Sequence, residues 1–118
     1  MRVLRVARSS ARKARTQALN QMRSLISTAP DEIRSELRDL NAYRMLERAS
    51  MYRPGQRHDI NASTKFALRT LARRAMMLEE EATAIDKMLR TLVAETAPEL
   101  AAINGVGTDV ATARRTRR

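Results

Sequence analysis

Four arginines, Arg5, Arg8, Arg12 and Arg15, follow one another at steps of three, four and three, with Arg2 and Lys13 close by. On a helix such steps line one face, and guanidinium forks grip phosphate oxygens in pairs. The first 28 residues hold seven bases and no acid. A strip of this kind suits contact with the backbone of DNA or RNA, without any reading of base sequence. The same residues would also make an ordinary solvated helix face.

A second group lies near the other end. Leu100, Ile103, Gly105, Val106, Gly107 and Ala111 have the spacing of a helix-hairpin-helix, with an apolar residue two before Gly-hydrophobic-Gly and a small one four after. Glycines allow a tight turn and a close approach to phosphate, and the N–H groups that open the following helix meet the anion. Gly105, Val106 and Gly107 are therefore candidate phosphate-binding residues, against a plain glycine helix stop.

Other chemistry is sparse. There is no cysteine, which excludes disulfides, thiolate metal sites and a cysteine nucleophile. His58, the single histidine, sits in a polar stretch and reads as a solvated loop residue. Glu79, Glu80 and Glu81 point in three directions around a helix, so they solubilise it or pair with Arg73 and Arg74 rather than converge on a metal. Neither catalytic residues nor a metal or other cofactor are expected.

The elements that must carry these groups are helical. The 118 residues include three aromatics, three glycines and three prolines, and carry a net charge of +10. Ala, Leu, Arg, Met and Glu dominate, which favours an all-α fold. The basic excess points to nucleic acid rather than an acidic small substrate. No apolar run approaches the ~20 residues of a membrane span, and no secretory signal opens the chain, so a cytoplasmic protein without membrane contact is expected.

Leu4, Ala7, Ala11, Ala14, Ala18 and Leu25, widened by Met22 and Ile26, predict an amphipathic basic helix over about 2–27. Pro30 suits a first helical position, and Asp31 and Glu32 the positive end of a second helix whose inner face is Ile33, Leu37 and Leu40. Asn41 is the expected N-cap of a third, short helix reaching about Met51, before Arg53-Pro54-Gly55-Gln56. Asn61 or Ser63 would cap the longest helix, ending near Thr96 before Pro98. Along it Leu68, Leu71, Ala75, Leu78, Ala82, Ile85, Leu89 and Leu92 keep alternating steps of three and four, which predicts a coiled-coil dimer seam. The expected segments are thus 1–28, a basic linker helix; 29–60, short helices and loop; 61–97, the coiled-coil helix; 98–113, a partial helix-hairpin-helix; and 114–118, a basic tail.

The stretches RVLRVARSSARKARTQALNQMRSL, TAPDEIRSELRDL, YRPG, TKFALRTLARRAMMLEEEATAIDKML and LVAETAPELAAINGVGTDVATA, in this order, resemble the middle of actinobacterial insertion-sequence transposases with a RuvC-like, four-acid (DEDD) nuclease domain, the bridge-RNA-guided recombinases. The resemblance covers residues 1 to about 113. It implies that Arg12, Lys13, Arg15, Asn20 and Gln21 belong to a linker helix, Leu68 through Leu92 to a dimerising coiled coil, and Gly105, Val106 and Gly107 to a hairpin opening a C-terminal domain. None of these is catalytic. Met1 begins after the four acids would lie, and Arg114 onward replaces an apolar helix, so the resemblance implies a truncated or frameshifted remnant. The expected function is that of a transposase fragment, contributing nucleic-acid binding and dimerisation to DNA recombination without cleavage. Expected partners are DNA, RNA, and either a second copy or an intact transposase. The alternatives are a coiled-coil interaction module that pairs with an intact transposase, and an unrelated basic helical DNA-binding protein.

Overall fold

The computed structural model describes residues 1–56 and 58–104, with side-chain surroundings through residue 96. The described residues are helical, with no strand among them. The helices are α1 (Arg2–Ser27), α2 (Asp31–Leu37), α3 (Ala42–Ser50) and α4 (Ile60–Asn104). At ~1.5 Å per residue the 45 residues of α4 span about 68 Å, which accounts for the long axis of a molecule measuring 67 × 25 × 19 Å.

α1 lies antiparallel along α4. Early residues of α1 meet late residues of α4, as Arg8 meets Asp86 and Arg15 meets Glu79. Ala11 packs with Leu78 and Ala82, while Ala18, Met22 and Ile26 pack with Leu68, Ala72 and Ala75. The small side chains let the two backbones approach closely.

Within the chain, α1 covers part of the expected dimer seam. Leu68, Ala75, Leu78 and Ala82 are buried and Leu71, Ile85, Leu89 and Leu92 half-buried within one chain. The hairpin partner is α1, and Ala72, outside the three-four pattern, is fully covered in place of Leu71. Alanine contributes eight of the buried positions. On α1 the covered stripe is Ala11, Ala18, Met22 and Ile26, with Leu25 turned outward.

At the far end of the hairpin α2 and α3 fold over α1 and α4. Ile33, Leu37, Met45, Leu46, Ala49 and Tyr52 complete one core with Met22, Ile26 and Leu68. Asn41 caps α3, its side chain accepting from the Arg44 N–H at 2.9 Å. Pro30 is the N-cap of α2 rather than its first helical residue, with Asp31 and Glu32 in the first turn. Gly55 turns the α3–α4 loop at φ +79°, a region that costs glycine little. α4 starts at Ile60, and the cap is Asp59, whose carboxylate accepts from the Ala62 N–H at 2.8 Å, instead of Asn61 or Ser63.

The helix also runs on past Thr96 and Pro98 to Asn104. One proline removes one backbone donor, and a helix already formed needs no new nucleation to continue. Leu100 and Ile103 thus belong to the same helix as Leu68. Gly105, Val106 and Gly107, with the basic tail, lie outside the described residues.

Candidate nucleic-acid interface

The basic residues of α1 fall into two sets. Arg8 and Arg15, seven apart, turn toward α4. Arg8 donates to Asp86 Oδ1 at 2.9 Å and Arg12 to Asp86 Oδ2 at 2.8 Å, so two guanidiniums share one carboxylate. Arg15 Nε lies 3.0 Å from Glu79 Oε1, an ion-pair distance without hydrogen-bond alignment. The hydrogen bond from Arg8, with Arg12 beside it, holds the Asp86 carboxyl below the usual carboxylate range. The expectation of an unneutralised strip on one face is therefore corrected for Arg8, Arg12 and Arg15. The acids come from α4, and Glu79 pairs with Arg15 rather than with Arg73 or Arg74.

Arg5 and Lys13 form the second set, together with Arg2. They line an open trough along the outer side of α1 with Ser9, Ser10 and Gln17, and no carboxylate contributes to it. Among the described residues no ion pair joins Arg2, Arg5 or Lys13 to an acid. From Arg2 to Lys13 the trough runs about 16 Å along the axis, and a strand of duplex presents a phosphate about every 3.4 Å. Short hydroxyl side chains between the cations leave room for a backbone to come close and supply uncharged donors. Arg12 stands at the edge, lining a neighbouring hollow with Lys13 and Thr16 and leaving 60% of its side chain exposed while it holds Asp86.

Two features escaped the reading of the sequence. One is the pairing of α1 with the acids of α4, signalled by opposite charge blocks in residues 1–28 and 79–99. The other is Arg23, which is in phase with Arg5 and Arg12 at steps of eighteen and eleven and shares their side of α1. Farther along, the Tyr52 hydroxyl donates to Glu36 Oε1 at 2.7 Å, and Arg48 reaches Glu36 Oε2 at 3.1 Å. The hydrogen bond from Tyr52 and then Arg48 hold Glu36 low, while burial and Glu36 push the Tyr52 phenol up. Arg73 Nε donates to the Ser50 carbonyl at 3.1 Å and so caps the end of α3. These contacts tie the capped end together. His58 is exposed in its loop.

Among the described residues no group of three acids or histidines is placed to hold a metal, and no helix is long and apolar enough to cross a membrane. Compared with known proteins, the chain matches no family model, no curated protein and no solved structure.

Proposed function

We propose that the chain is a non-catalytic helical segment of a DEDD-type insertion-sequence transposase that binds the backbone of DNA or RNA through the outer face of α1. The observation that carries the binding is the acid-free trough holding Arg2, Arg5 and Lys13. The transposase assignment rests on the resemblance in sequence. Recognition of the backbone alone predicts little dependence on base sequence and a steep dependence on salt. Fluorescence anisotropy with a labelled oligonucleotide should give a log-log salt slope of ~0.7–0.9 per phosphate neutralised. Replacing Arg5 and Lys13 with Gln should flatten that slope while circular dichroism stays unchanged. An unaltered slope would sink the reading.

A second reading, a helical interaction module, is favoured by one feature of α4. Phe66, Met77 and Met88 are exposed and eleven residues apart, so they align along the side of α4 opposite Ala75 and Ala82. Sedimentation at rising concentration tests it: a second chain on this face would raise the mass, and Met77→Glu would abolish the rise.

A further inference from the structure

Where the end of α1 meets α2 and the start of α3, a crevice of about 280 Å³ opens between Arg23, Arg34 and Arg38. Its floor is apolar and deeply covered: Ile26, Leu37 and Met45 are all buried. Arg34 is fixed in place, donating through Nη1 to the Ala29 carbonyl at 3.2 Å and through Nη2 to Asp31. Arg38 has only Asp39, at 3.6 Å and with both side chains well exposed, a pairing of little strength. No ion pair joins Arg23 to an acid among the described residues, and neither Asp31 nor Asp39 lines the crevice.

Three guanidiniums brought together over an apolar floor repel one another, and the floor strengthens any anion they share. We infer that this crevice binds one phosphodiester of a nucleic-acid strand, with the phosphate on the arginine forks and the adjoining sugar against the apolar floor. The inference rests on the proposed function and extends it to a second part of the surface. The volume lies just below the ~300–1,000 Å³ usual for free ligands, which suits one link of a polymer better than a whole nucleotide cofactor. Continuity with the trough supports the same occupant. Arg5, Arg12 and Arg23 line one side of α1 over about 27 Å, so a strand lying along the trough arrives at the crevice.

Met45 provides a reporter, because it belongs to the floor. With ¹³C-methyl-methionine protein and a twelve-residue oligothymidylate, the Met45 resonance should move on titration, and the Arg23→Gln/Arg38→Gln variant should lose that movement. By anisotropy the variant should bind roughly tenfold more weakly and lose ~0.7–0.9 from the salt slope. Arg53→Gln/Arg74→Gln removes the same charge elsewhere and should have a smaller effect on both. Both pairs are exposed, and unchanged circular dichroism shows that the fold survives. Arg23→Lys keeps the charge without the fork and should fall between wild type and the double variant.

If the wild-type chain binds but Met45 stays still, or if the two double variants behave alike, the crevice is not a contact site and the trough reading stands. If inorganic phosphate moves Met45 and the oligonucleotide does not compete with it, the site takes free phosphate and the inference is overturned. If the wild-type chain binds no oligonucleotide, the proposed function and this inference fall together.

Discussion

The two ends of the α1–α4 hairpin are built on different physics. At the capped end four helices close over Met22, Ile33, Leu37, Met45 and Leu68, all of them fully buried. At the open end two helices meet through Ala11, Leu78 and Ala82, and Arg8 and Arg12 close on Asp86. The first end is held by apolar area, the second by close backbone approach and charge. The two kinds of contact are thereby separated along one rod: large apolar side chains at the capped end, small side chains and ion pairs at the open end.

The sharpest way to break the comparison is at the capped end. Leu37→Ala should cost ~2–5 kcal/mol in urea unfolding, because a fully buried leucine leaves a cavity that four helices cannot all collapse into. At the open end Ala82→Leu should cost ~1–3 kcal/mol by forcing α1 off α4. An interface of alanines responds to added bulk, not to removal, and a stabilising Ala82→Leu would refute the close approach of the helices. Asp86→Asn should lower stability by no more than about 1 kcal/mol, since Arg12 is mostly exposed. It should nonetheless strengthen nucleic-acid binding and steepen its salt slope, because Arg8 and Arg12 are released. Unchanged binding would mean that these arginines never reach a phosphate.

Other effects depend on pH. Asp86 and Glu36 have lowered pKa values, so their contributions are present above the ordinary carboxylate range near pH 4 and are lost as pH falls through the lowered values. Tyr52 is shifted the other way. Its contribution is full below the ordinary phenol pKa near 10 and declines as pH rises from there toward the raised value. Tyr52→Phe should therefore cost ~0.5–1.5 kcal/mol at neutral pH and remove part of the alkaline sensitivity of unfolding.

The elements were legible because local signals agreed. Periodicity marked α1, Asn41 marked the start of α3, and the acids at 31 and 32 marked that of α2. The partner of the long helix was not legible, because a three-four repeat states that a face is covered and leaves open what covers it. Leu68 and Leu78 suit a second copy as well as α1; the alternation with Ala72, Ala75 and Ala82 was the sign of a close antiparallel neighbour. The basic strip was visible as charge, yet its division into paired and free arginines depends on residues about seventy positions away in sequence. The crevice arginines, on α1, on α2 and at the C-cap of α2, share no spacing that a linear reading detects.

The alanine contact has a mechanical consequence. A smooth surface carries almost no shape that distinguishes one axial position from the next, so side-chain interlocking at the open end does little to stop α1 sliding by a turn of about 5.4 Å. Register is imposed from elsewhere: the covalent loops and the filled core at one end, and the fork of Arg8 and Arg12 on Asp86 at the other. The molecule is a bar clamped at one end and indexed by charge at the other.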